Sequence, residues 1–182
     1  MVSPERYAEL KQRVYVMRNG VTADSLRSAG CPYRLIFGLN LPQLTEIAGE
    51  YGPDPEMARE LRLHSDLREN VLLAPMLFPP DALTFDEALD WVNECRWAED
   101  ADILCFKLLR RVPFAAELAD ALCASDRPLD RYTGLRLHLG ILPQAAPEAL
   151  AAADAELVRP DSPNRSLAAM LRSEAEFLIE NP

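Results

Sequence analysis

Long apolar runs are missing from this sequence. No stretch approaches the roughly 20 consecutive apolar residues that a membrane-spanning helix needs. The opening Met-Val-Ser-Pro-Glu-Arg lacks the apolar core of a secretory leader. Both features point away from a membrane and toward the cytoplasm. Strand-like alternation is equally scarce, since no apolar–polar pattern of period two persists over a strand length. Cys31, Cys95, Cys105 and Cys123 form no C-x-x-C pair and meet no histidine at metal-ligand spacing. Reduced thiols in a core, not disulfides or zinc, are the expectation. Histidine is confined to His64 and His138, and H-E-x-x-H, P-loop, G-x-G-x-x-G and G-x-S-x-G runs are all missing. The expected cofactor list is therefore empty, and so is the expected metal list.

Positive charge is short as well. Nineteen Lys and Arg face 29 Asp and Glu, a formal net charge of −10. That balance disfavours a chain-wide nucleic-acid surface, because phosphates are neutralised by clustered cations. The distribution is uneven, however. Residues 84–102 carry seven acids and one base, whereas residues 103–143 carry six bases, Lys107, Arg110, Arg111, Arg127, Arg131 and Arg136, against four acids. Two readings follow: a local basic face on an acidic protein, or ordinary solvated helix faces.

What the sequence has in quantity is helical punctuation. With 49% hydrophobic residues in 182 positions, the chain can bury the core of one domain spanning residues 1–182. Fifteen prolines divide it into segments with apolar residues at 3.6-residue spacing. Ser3-Pro4 opens a predicted helix ending near Gly20, Leu41-Pro42 one ending at Tyr51-Gly52, and Asp54-Pro55 a short one. Asp66 is expected to cap a helix through Leu77, with Pro75, Pro79 and Pro80 bending and ending it. Thr84 and Glu87 form a capping-box signature before the stripe Phe85, Ala88, Leu89, Val92 and Cys95. Further helices are predicted over Glu99–Arg111, Phe114–Cys123, Asp130–Leu142, Pro147 to about Leu157, and Pro163–Glu180. Such helices joined by short turns pack as antiparallel neighbours, and a degenerate pair period suits HEAT-like stacking. The expected fold is all-α, a HEAT-like or armadillo-type α-α superhelix of stacked antiparallel helix pairs.

One stretch stands out chemically. Trp91 to Asp102 gathers two tryptophans and the carboxylates Glu99, Asp100 and Asp102 around one helix–helix turn. Aromatic faces beside acids can hold a cation, with a carboxylate stabilising positive charge. The competing reading has the tryptophans filling a helix seam and the acids complementing a helix N-terminus. His138 shares a helix face with Leu135, Leu139 and Leu142 and reads as a partly buried structural histidine.

Four segments in order then resemble the DNA alkylation repair family of HEAT-like DNA glycosylases. They are F-G-L-N-L-P-Q-L-T-E-I-A from Phe37 to Ala48, L-R-E-N-V-L-L-A from Leu67 to Ala74, W-A-E-D-A-D-I-L from Trp97 to Leu104, and R-Y-T-G-L-R-L from Arg131 to Leu137. The resemblance implies excision of positively charged N-alkylated purines, with an aspartate stabilising the oxocarbenium-like sugar as the base leaves. Carried over by position, Asp102 is the catalytic carboxylate, with Asp100 as the alternative, and Trp97 is the aromatic wall. Lys107, Arg110, Arg131 and Arg136 would grip phosphates. The family spaces its Trp and Asp four apart; here the acids stand three and five residues after Trp97, and the family's paired arginines are replaced by Gly134 and Leu135. The expected partner is DNA through the local basic face. The alternative is a non-catalytic HEAT-like scaffold that binds a protein.

Overall fold

In a computed structural model, residues 3–181 are described. Helical turns make up 73% of it. No strand occurs among the described residues; Leu35 and Leu67 form an isolated parallel bridge. By contacts the chain divides between Ala82 and Leu83 into two compact units.

The first unit holds α1 (Pro4–Val16), α2 (Gly20–Ser28), α3 (Leu41–Tyr51), α4 (Pro55–Leu63) and α5 (Arg68–Leu77). The proline-led starts lie where the sequence places them. Ser3 accepts from the Arg6 N–H, and Asp54 accepts from the Met57 N–H. Asn40 and Gln43 exchange side-chain and backbone hydrogen bonds in a full capping box. Two expectations are corrected. Gly20 does not end α1; it opens α2, whose Asn19 cap accepts from the Thr22 N–H. Periodicity misses α2 because it buries only Ala23. Nor does Asp66 cap α5. Leu67 occupies the cap position, and Asp66 instead pairs with Arg34 at 2.8 Å. Pro75 lies inside α5, which runs past it to Leu77.

A buried carboxylate ties the unit together. Glu69 is fully buried and sits in the first turn of α5. Its oxygens accept from the backbone N–H groups of Phe37, Gly38 and Leu39 and from the Arg68 guanidinium. The second and first family-like segments are thereby one structural device.

The second unit holds α6 (Phe85–Asn93), α7 (Ala98–Lys107), α8 (Ala115–Cys123), α9 (Pro128–Gly140), α10 (Ala146–Leu157) and α11 (Arg165–Glu180). Thr84 caps α6 as expected, accepting from the Glu87 N–H at 3.2 Å. The helix predicted over Glu99–Arg111 ends its α-turns at Lys107 and tightens into a 3-10 turn over Leu109–Arg111. Helix α8 packs on α9 and α10 on α11, while α7 packs on α9, so consecutive helices pair and alternate ones stack. Alanines permit the close pairing: Ala149 and Ala153 of α10 meet Ala168, Leu171 and Ala175 of α11. Gly134 does the same for α8 and α9, since a Cβ there would stand 2.7 Å from Cys123 Sγ and 2.8 Å from the Ala119 carbonyl. The glycine that breaks the family's arginine pair is thus a packing requirement. Arg127, just before α9, donates from Nη1 to the Asn93 carbonyl and from Nη2 to the Cys95 carbonyl, satisfying acceptors at the end of α6. All four cysteines are free thiols, with Cys95 and Cys105 buried. No described helix is long and apolar enough to cross a membrane.

Candidate nucleic-acid interface

The candidate residues lie on α7 and α9 of the second unit. At the start of α7, Asp100 turns back on the chain. Its Oδ2 accepts from the N–H groups of Arg96 and Trp97, at 2.9 and 3.0 Å. These are donors that no earlier helical carbonyl can serve. Asp100, the alternative catalytic acid, is 2% exposed and serves as a hydrogen-bond acceptor at the helix start. Trp97 occupies the N-cap position, half-buried.

Two residues further on, the helix has rotated through about 200°, and Asp102 points toward α9. Tyr132 and Arg136, one turn apart on α9, converge on it. The Tyr132 hydroxyl donates to Asp102 Oδ1 at 3.0 Å, and Arg136 Nε stands 2.7 Å from the same oxygen. Burial, followed by the charge of Asp102, pushes the Tyr132 hydroxyl up to about 12, so it remains a donor. The ion pair is only partly covered, with side-chain exposures of 35% for Asp102 and 30% for Arg136. Asp102, expected to be the catalytic carboxylate, thus meets an arginine and a tyrosine hydroxyl through one oxygen. Asp102 and Arg136 form one unit of zero net charge.

Beside this pair opens a cavity of about 170 Å³, lined by Asp102, Cys105, Phe106, Arg110, Arg136 and Gly140 among others. The Cys105 thiol hydrogen-bonds to the Thr133 carbonyl, and burial raises its pKa well above the ordinary thiol value. It is a neutral, unreactive thiol. Phe106 is different, being 47% exposed. The Arg110 guanidinium lies 4.1 Å from its ring centroid, and Lys107 Nζ lies 5.3 Å from it. Among the described residues, no carboxylate pairs with Arg110.

The four expected phosphate-binding cations therefore do not form one stripe. Arg131 is 6% exposed. Its Nε is bonded to Glu156 at 2.9 Å, and its Nη1 donates to the Ser125 and Asp126 carbonyls. Glu156 in turn accepts from Ser162 and Asn164. Although burial alone would raise the Glu156 carboxyl, the hydrogen bonds from Ser162 and Arg131 outweigh it and hold the pKa below the ordinary value. Arg131, expected to grip phosphate, lies buried between α9 and α10, with its guanidinium bonded to Glu156. His138, expected to be partly buried, is fully buried, with Nε2 3.1 Å from Asp120. Two site residues escaped the sequence reading. Phe106 lies inside the helix predicted over Glu99–Arg111, and Tyr132 inside R-Y-T-G-L-R-L, with no motif to mark either. The i, i+4 spacings Phe106–Arg110 and Tyr132–Arg136 were the available signals.

Paired, stacked helices define the HEAT-like helical-repeat class. A solved structure from "a new family of proteins related to the HEAT-like repeat DNA glycosylases with affinity for branched DNA structures" has this architecture. It superposes with a TM-score of 0.77 at 15% identity, covering 96% of this chain and 82% of that one. The sequence matches the DNA alkylation repair enzyme family over residues 10–173, and the chain belongs to that family. No curated protein matches it by sequence.

Proposed function

We propose that this protein binds DNA through phosphate contacts made by Lys107, Arg110 and Arg111, and that it holds a damaged or branched site without excising a base through Asp102. The observation that carries this reading is the Asp102–Arg136 pair, closed at 2.7 Å beside an Arg110 that has no acidic partner among the described residues. A carboxylate that stabilises a departing sugar cation acts through its unneutralised charge. Here that charge is already shared with a guanidinium and a tyrosine hydroxyl. What the cavity mouth presents outward is cationic, and cations at a DNA surface act on phosphates. Family membership and the neighbour's affinity for branched DNA support DNA as the partner.

The test has two arms. Gel-shift titrations at several salt concentrations should show log K falling by about 0.9 per phosphate contacted. Single-turnover incubation with DNA carrying 7-methylguanine should release no base. Release at a rate well above the spontaneous one, lost in Asp102→Asn, would restore the excision reading. Absence of binding even at low salt would favour a protein partner.

A further inference from the structure

Phe106 is the one large aromatic side chain at the mouth of the Asp102–Arg136 cavity, and nothing in the phosphate-binding reading uses it. It stands in the last turn of α7 and is 47% exposed. Its neighbours on the helix, Ile103, Leu104 and Cys105, are buried in the core. At 47% exposure, Phe106 is far less covered than those neighbours.

Its surroundings are ordered. Arg110 follows one turn later, and its guanidinium lies over the ring at 4.1 Å. The stem of Arg110 runs past Gly140, where an added Cβ would come within 3.4 Å of Arg110 Cβ. The ring meets the guanidinium, and the glycine leaves room for the stem. A guanidinium lying over an aromatic ring keeps its N–H donors directed outward in its own plane. Those donors suit the oxygens of a phosphate, and Arg110 has no carboxylate competing for them. Asp102, the acid lining the same cavity, is occupied by Arg136 and Tyr132. An aromatic platform therefore stands beside an uncompensated planar cation over a cavity of about 170 Å³.

We infer that Phe106 and Arg110 form a subsite for one unpaired nucleotide, the base stacking on the aromatic–guanidinium platform while Arg110 holds the adjacent phosphate. The inference rests on the DNA-binding reading and narrows it. Stacking needs a base whose face is free, which an intact duplex does not offer. The substrate class selected is DNA with unpaired bases at a junction, gap or flap. Any base satisfies the platform, because every base has a π-face, so the preference is for structure and not for sequence.

The experiment measures affinity of the full chain for three oligonucleotides at one salt concentration: an intact duplex, a gapped duplex and a three-way junction with two unpaired nucleotides at its branch point. The gap and the junction each carry 2-aminopurine at the unpaired or branch-point position. Wild type should bind the gapped and branched forms more tightly than the duplex and change the 2-aminopurine fluorescence on binding. Phe106→Ala should weaken gapped and branched binding about tenfold, leave duplex affinity within about twofold, and abolish the fluorescence change. Phe106→Trp should retain all three properties. Since Phe106 is exposed, the alanine variant should keep the wild-type melting temperature, which circular dichroism checks. Equal losses on duplex and junction, or no loss with Phe106→Ala, would overturn the subsite while leaving phosphate binding intact. A wild type that binds none of the three would overturn both readings.

Discussion

Glu69 holds Gly38 by its backbone: Oε1 accepts the Gly38 N–H at 2.9 Å across 31 residues of sequence. The glycine can present that N–H because its φ is +80°, in the region that side chains disfavour. Space is equally restrictive, since a Cβ at position 38 would stand 2.3 Å from the Asn19 carbonyl oxygen. Carboxylate and glycine together place the turn that leads into α3.

Replacing Glu69 with alanine should therefore cost about 3–5 kcal/mol, the usual penalty for leaving one member of a buried ion pair alone. Arg68, 4% exposed, would lose its acidic neighbour and keep its bond to the Leu39 carbonyl. Thermal unfolding should show a drop of roughly 10 °C or more. A loss below about 1 kcal/mol would mean that water replaces the carboxylate. Gly38→Ala should destabilise the same unit.

Arg131→Ala separates a strut from a phosphate ligand. If Arg131 supports α9 against Glu156, the variant loses about 3–5 kcal/mol of stability. Measured well below its melting temperature, the slope of log K for DNA against log salt stays unchanged. A stable variant with a shallower slope would return Arg131 to the phosphate-binding set.

Asp102→Asn should have the opposite profile. The pair it breaks is partly exposed, so stability should change by no more than about 1 kcal/mol. Freed from its acid, Arg136 becomes available to phosphate, and DNA affinity at low salt should rise. Tyr132, whose pKa of about 12 owes part of its elevation to Asp102, should titrate lower. Absorbance of tyrosinate near 295 nm reads that shift.

Acid should weaken the fold partly through His138. Burial, opposed less strongly by Asp120, lowers its folded pKa below the ordinary 6.5. Below about pH 6.5 the unfolded chain then binds more protons than the folded one. Stability contributed by neutral His138 is present above that pH and lost as pH falls through the folded value. His138→Gln should flatten the stability profile between pH 5 and 7, as measured by urea unfolding. An unchanged slope would place the titrating group elsewhere.

How far these features were legible in the sequence depended on distance along the chain. Caps such as Ser3, Asp54 and Thr84 act three residues ahead and could be read directly. Helix α2 could not, because a helix burying one alanine leaves no apolar stripe. Asp100 and Asp102 were both visible as acids near Trp97. Their roles depended on what faced them: for Asp100 the backbone beside it, for Asp102 two side chains about 30 residues away. Arg131 misled for the same reason, since its partner Glu156 lies 25 residues on and its burial has no local signature. Gly134 stood as a gap in the family pattern until the approach of α8 gave it a reason.

The reach of Arg127 to the carbonyls of Asn93 and Cys95 bears on the order in which this chain can fold. As the polypeptide leaves the ribosome, α6 emerges more than thirty residues before the side chain that finishes its end. Until then its closing carbonyls are left to water, and the helix frays. The end of α6 is thus completed by a residue 34 positions beyond Asn93, and a nascent chain stalled before residue 127 lacks those donors.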